Sequence, residues 1–274
     1  MINDAADNAF AAFAEGFAGG TPQLVSRELV ADTQTPVSAY LRLAAVSRNT
    51  FLLESVEGGE IRGRFSVIGL SPDLIWRCRG SVAEINRDPA NSGEFSADSR
   101  APIDSLRALM AESAMADTEN LPPMSAGLFG YFGYDMIRHI EAIPDANPAV
   151  IDTPDSMLVR PSLIAIFDRL KDSITFVVQV RPAEWDEPQT AWSHAQDRIA
   201  AALDALDAPM PPTEAGESTA PLPDPRSNME QGDFLAMVDA AKDYIQAGDI
   251  FQVVLSQRFS IPFHLPAINL YRSL

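Results

Sequence analysis

Hydrophobic and polar positions change their period several times along the chain, and each change marks an element. Phe10, Phe13 and Phe17 recur at helical spacing before Gly19-Gly20, which predicts a short amphipathic helix docked on the main body. Thr35-Pro36 opens a second helix, with threonine as N-cap and Val37, Tyr40, Leu41 and Ala44 inward. Short strand-like runs follow at Thr50–Ser55 and Arg64–Ile68, the second ending at Gly69 with Ser71-Pro72-Asp73 as a turn. Leu74–Arg79 and Ser81–Asn86 then form a hairpin through Gly80. Tight turns between short strands predict an antiparallel meander.

The second half of the pattern is simpler. Asp104–Ala114 predicts a helix, and Met157–Asp168 with Ser173–Val180 a long hairpin. Pro161 places the first of these strands late or at an edge. Glu187-Pro188 starts a helix with Trp192, Ala195, Ile199 and Leu206 on one face, which leaves His194 in solvent. Residues 208–226 are rich in proline and poor in large apolar side chains, so they read as a linker. Phe234, Val238, Ala241 and Ile245 then line one face of a helix, with Ser227 and Glu230 as a capping box and Gly248 as its stop. A strand over Phe251–Phe259 alternates apolar positions (Phe251, Val253, Leu255) with mostly polar ones (Gln252, Ser256, Arg258). That polar face is a cleft wall or a solvated sheet face, and spacing alone favours the latter.

These elements predict an α+β fold: antiparallel β-sheets forming a sandwich with peripheral helices, and a truncated second domain. Residues 1–20 form an N-terminal helical extension, 21–207 the first domain, 208–226 the linker and 227–274 the start of the second.

Composition narrows the function. Among 274 residues, 38 are Asp or Glu and 20 are Lys or Arg, a net charge of −18. With no basic run, the chain lacks the electrostatic footprint of a nucleic-acid or anionic-membrane binder. No apolar run is long enough to span a bilayer. Cys78 is the sole cysteine, so no internal disulfide forms, which fits a reducing, cytoplasmic setting. The glycines at 127, 130 and 133 fall every third residue beside Phe129, Tyr131, Phe132 and Tyr134. That spacing is no dinucleotide or phosphate loop. It suits close backbone approach.

Two stretches carry candidate chemistry. The run from Phe234 to Phe259 resembles the entry to the chorismate-binding domain of anthranilate synthase component I, and the resemblance extends upstream to about Thr21. It implies that Gln252 lies near the active site, where family members that add water have a lysine base and those that add ammonia have glutamine. Ammonia is already nucleophilic and needs no such base. Leu53-Glu54-Ser55, by itself a plain strand end, resembles the family's L-tryptophan feedback element. A carboxylate can hold an α-ammonium there and a hydroxyl can bond the head group. The resemblance further implies conversion of chorismate and ammonia to anthranilate and pyruvate, in tryptophan biosynthesis. Ammonia would come from glutamine on an amidotransferase partner, and Mg²⁺ would be held by residues expected downstream of Leu274. No catalytic or metal residue is expected within the 274, and the chain alone is expected to be inactive. The alternatives are the large subunit of aminodeoxychorismate synthase and a non-catalytic tryptophan-binding module.

Overall fold

The computed structural model describes residues 2–57, 61–116, 118–144, 149–212 and 223–274. The chain divides into two compact units, Met1–Pro211 and Pro212–Leu274. Part of the sequence-defined linker, residues 213–222, lies outside the described residues.

The first unit runs α1 (Ile2–Ala18), β1 (Gln23–Val30), α2 (Pro36–Ala44), β2 (Phe51–Glu57), β3 (Ile61–Arg79), β4 (Val82–Asn86), β5 (Ser96–Ala97), α3 (Pro102–Glu112) and β6 (Phe129–Phe132). After a 3-10 helix at Tyr134–His139 come β7 (Ser156–Asp168), β8 (Ser173–Val180), a 3-10 turn at Pro182–Glu184 and α4 (Pro188–Asp207). Among the described residues all eight strands join one antiparallel sheet. Its spine is the pair β3–β7, in register from Phe65↔Asp168 to Cys78↔Ser156. One half of the spine carries β2 on β3 and β8 then β1 on β7. The other half carries β4 then β5 on β3, and β6 on β7. The mixture of antiparallel strands and peripheral helices is the α+β class expected, and among the described residues of this unit the strands form one sheet where a sandwich of sheets was expected.

The spine corrects two sequence expectations. Arg64–Ile68 and Leu74–Arg79 are not separate strands around a turn at Ser71-Pro72-Asp73. They are one strand, and the break is a bulge between Pro72 and Leu74, with Ser71 at φ 45°. Pro161 does not mark an edge either: it sits in a central strand, opposite Pro72. Neither proline has an N–H, so the ladder loses little by bending where they face each other.

Burial follows from position in the sheet. β8 is buried throughout, and β7 from Arg160 onward, because one set of their side chains packs with α1, α2 and α4 and the other joins a core with Val67 and Phe129. Such strands read as continuous apolar runs. The larger core packs Ile68, Phe167, Phe176 and Val178 under α1, α2 and α4. α1 docks as expected, Phe10 and Phe13 meeting Trp192 of α4 at ring-centroid separations of 5.8 and 5.0 Å. Thr35 caps α2 in a capping box completed by Ser38. The buried residues of α2 are Ala39 and Leu43, however, and the expected inner residues Val37, Tyr40, Leu41 and Ala44 are half-buried. Small Ala39 lets the helix approach the sheet, so the buried stripe is rotated by about one residue.

A second core sits on the other half-sheet: Leu74, Trp76, Cys78, Leu109 and Leu158. Fully buried Trp76 needs a partner for its N–H, and Nε1 donates to Ser105 Oγ at 3.0 Å. The glycines of β6 and its end bring backbone against backbone: a Cβ at Gly130 would overlap the Met157 carbonyl, and one at Gly133 would crowd that of Asp155.

The second unit holds β9 (Arg226–Ser227), α5 (Gln231–Ala247), β10 (Phe259–Ser260) and α6 (Ala267–Ser273). Gly248 stops α5 in the left-handed region at φ 84°, as expected. The capping box does not form. Ser227 belongs to β9, its hydroxyl accepts from Met229 N–H, and Glu230 stands at the N-cap without a side-chain bond. The strand expected over Phe251–Phe259 is also absent except at its end. Only Phe259 and Ser260 pair, with Ser227 and Arg226. A strand exists through its ladder, and among the described residues two-residue β9 is the only strand this segment pairs with.

Candidate functional site

The two sequence-derived stretches fall in different units. Leu53-Glu54-Ser55 lies on β2, paired to β3 by Leu53↔Val67 and Glu54↔Ser66. The register slips between Glu54 and Val56, so Ser55 sits on a bulge. A bulge re-aims a side chain, and Ser55 is exposed. Leu53 is 46% exposed, and Glu54 is half-buried. Alternation puts Leu53 on the face of Phe51, whose ring stacks on Phe129 at 5.0 Å and covers Gly69. The triplet thus offers an apolar surface, a carboxylate and a hydroxyl on one short, anchored strand. Gly63 on β3 makes the bulge possible: a Cβ there would overlap the Ser55 side chain.

Gln252 stands outside any helix or strand just after the Gly248 turn, and it is exposed. It is not sealed in an interior. Its neighbour Phe251 is 93% exposed. The residue of this stretch that lines a cavity is Gln257, with Ser227, Glu230, Phe234 and Phe259 around an open space of about 660 Å³. Gln257 Nε2 donates to Ser227 Oγ at 2.7 Å, and Asn228 exchanges backbone and side-chain bonds with Arg258 at 3.0 and 2.8 Å. Gln257 escaped the sequence reading because alternation put it on the apolar face of a strand that does not form.

A charged network at the sheet's bend also escaped it. Asp73, on the bulge, accepts from Arg160 Nε at 2.7 Å and Arg181 Nη1 at 3.0 Å. Arg160 also donates to Glu112 at 3.0 Å, and Arg87 grips Glu112 through two bonds of 2.8 Å. These donors, above all Arg87, hold the Glu112 carboxyl at about 2 against an ordinary 4.5. Arg160 interrupts an apolar run between Val159 and Leu163, which was the available signal. Cys78 Sγ lies 3.5 Å from His139 Nε2, but burial, helped by Asp155, pushes the thiol up to about 11, so the pair is no nucleophile–base couple. No three His, Cys, Asp or Glu residues among those described could hold a metal ion. Among them also, no helix is long and apolar enough to cross a membrane.

The fold defines an α+β protein built on one antiparallel sheet, with Leu53 and Ser55 exposed on β2. The chorismate binding enzyme family model matches residues 78–274, and the chain belongs to that family. It is 45% identical over 266 residues to anthranilate synthase component 1 of Cereibacter sphaeroides, covering 97% of this chain and 53% of that protein. It is 36% identical over 252 residues to the Pseudomonas putida protein of the same name, covering 90% and 50%. The crystal structure of anthranilate synthase component I from Streptococcus pneumoniae superposes with a TM-score of 0.63 at 26% identity, covering 90% of this chain and 51% of that one. The chain therefore spans about half the length of the relatives it matches.

Proposed function

We propose that the chain is the amino-terminal part of an anthranilate synthase large subunit, which combines chorismate with ammonia to give anthranilate, pyruvate and water in tryptophan biosynthesis. The observation that carries this reading is the 45% identity along 97% of the chain to a protein named anthranilate synthase component 1. The exposed amide of Gln252 supports it. An amide cannot serve as a general base for water, and ammonia needs none. In this reading a glutamine amidotransferase subunit delivers the ammonia. In the same reading Mg²⁺ is held by residues downstream of Leu274. A cytoplasmic setting agrees with a lone, buried, reduced cysteine.

Leu53, Glu54 and Ser55 form, in the same reading, one wall of an L-tryptophan site for feedback inhibition. Ser55 offers an exposed hydroxyl and Leu53 an exposed apolar face.

The test is a chimera. The 274-residue chain is joined to the carboxy-terminal half of the Cereibacter sphaeroides relative and supplied with chorismate, ammonium and Mg²⁺. Anthranilate fluorescence, absent from the 274-residue chain alone, is the expected result. A folded chimera that makes aminodeoxychorismate, or nothing, overturns the reading.

A further inference from the structure

Strand β6 forms one edge of the sheet: among the described residues it pairs with β7 alone. The ladder runs on to Gly133, whose N–H donates to the Asp155 carbonyl at 2.7 Å, and the Tyr131 carbonyl accepts from Ser156 Oγ at 2.7 Å. Residues 131 and 133 thus turn their backbone groups toward β7, and alternation turns those of Gly130 and Phe132 outward. Gly130 has no side chain, so its exposure is exposure of the backbone. Tyr131, Phe132 and Tyr134 are 43%, 58% and 84% exposed. An open edge is a template for another strand, and charges, bulges or shortness blunt it. The other edge strands carry such devices: β1 has Arg27 and Glu28, β2 has Glu54, Glu57 and the bulge at Ser55, and β5 is two residues long. β6 has neither charge nor bulge. Residues 120–134 hold no charge, and Asp135, the first acid after them, is paired with Arg138 at 2.8 Å.

We propose that this edge pairs with the same edge of a second copy of the chain, antiparallel across a two-fold axis at Tyr131. Two features select a second copy over a foreign partner. The edge is self-complementary: Gly130 and Phe132 lie two residues apart, on one face of the strand and with the same outward backbone groups. The two-fold sets each Phe132 opposite the partner's Gly130, where the pair exchanges both N–H···O=C bonds and the phenyl ring covers a position without a side chain. Charge is the other feature. Each copy carries a net charge of −18, which repels a like chain over much of its surface, and a neutral edge removes that penalty. A basic partner drawn by the net charge would find no acid on this strand. Phe132 also lines, with Leu106, Met110 and Leu128, a cavity of about 400 Å³, so apolar surface continues past the strand. The surface belongs to the first unit and stands without the anthranilate synthase reading.

Sedimentation velocity on the 274-residue chain, over a range of concentrations and at low and high salt, is the test. A monomer–dimer equilibrium is expected with no larger species, because a two-fold contact closes. Added salt shifts it toward dimer by screening the like charge. Phe132→Lys weakens association by about tenfold or more. Phe132→Pro does the same, since it removes an outward N–H and leaves the β6–β7 ladder its bonds. Val254→Lys, at an 81% exposed position of the second unit, leaves association unchanged. Monomer throughout, open-ended association, or a dimer as tight in Phe132→Lys as in the parent overturns the proposal. Where a substitution prevents folding, hydrogen exchange on the unmodified chain decides: the Gly130 and Phe132 amides gain protection as concentration rises, while Gly133 is protected throughout. Amides at 130 and 132 that exchange equally fast at every concentration refute the pairing. Their protection in a monomeric chimera with the carboxy-terminal half would assign the edge to that half and refute it too.

Discussion

Gly63 leaves no room for a Cβ beside Ser55: one built there would overlap the serine's Cβ and Oγ. The two residues face each other across the β2–β3 pair where the register slips, so the missing side chain at 63 is what lets the bulge project Ser55 outward.

Under the proposed function, with tryptophan inhibition at Ser55, Gly63→Ala in the full-length protein should therefore act through Ser55. Tryptophan inhibition is expected to weaken, with kcat retained. Ser55→Arg should weaken it further by filling the head-group position. Inhibition curves that coincide with the parent's for both variants would remove this bulge from the inhibitor site.

The network at the sheet's bend should be sensitive to loss of its central acid. Asp73 neutralises Arg160 and Arg181, which are 4% and 8% exposed. Asp73→Ala leaves two buried cations short of a partner, and breaking a buried pair costs about 3 kcal/mol. Urea denaturation is the measurement. A loss under about 0.5 kcal/mol, the size of an ordinary surface change, would mean that Glu112 and solvent suffice.

Acid stability follows from Glu112. Its folded pKa of about 2 lies below the ordinary 4.5, so between those values the unfolded chain binds the extra proton. The stabilisation is complete above pH 4.5 and is lost as pH falls toward 2. Asp98 and Asp168, each held down chiefly by an arginine, act in the same direction. Thermal midpoints should fall through this window, and Glu112→Gln should flatten part of the fall. A slope identical to the parent's would assign the effect elsewhere.

The Cys78 thiol, pushed up to about 11, should be nearly inert in the folded chain. Against an ordinary thiol its thiolate fraction near neutral pH is lower by on the order of 100-fold, and burial blocks access besides. A disulfide reagent is expected to label it only after denaturant is added. Rapid labelling of the native chain would show that the β3–β4 edge opens.

Much of this architecture was legible in the sequence, because its signals are local. The Phe10-Phe13-Phe17 spacing, the Thr35 cap, the Gly80 hairpin, the β7–β8 hairpin and the Gly248 stop each depend on a few neighbouring residues, and periodicity or a preferred φ exposes them. Leu53-Glu54-Ser55 and Gln252 stand out as candidates only through resemblance, since nothing in their spacing separates them from an ordinary strand end and a polar strand position.

Pairing was not legible, because it is decided by residues far apart in the chain. Pro72 and Pro161 each read as a break, yet facing each other they become a bulge in two long strands. Phe251–Arg258 alternates like a strand, yet acquires no ladder among the described residues. Arg160 and Arg181 read as isolated polar residues until the sheet bends and gathers them around Asp73, and only that convergence shows how each is paired. The chain by itself determined where elements begin and which faces are apolar. Tertiary structure alone decided which edges meet, because a hydrogen bond or buried charge pair exists only once both partners are brought into place.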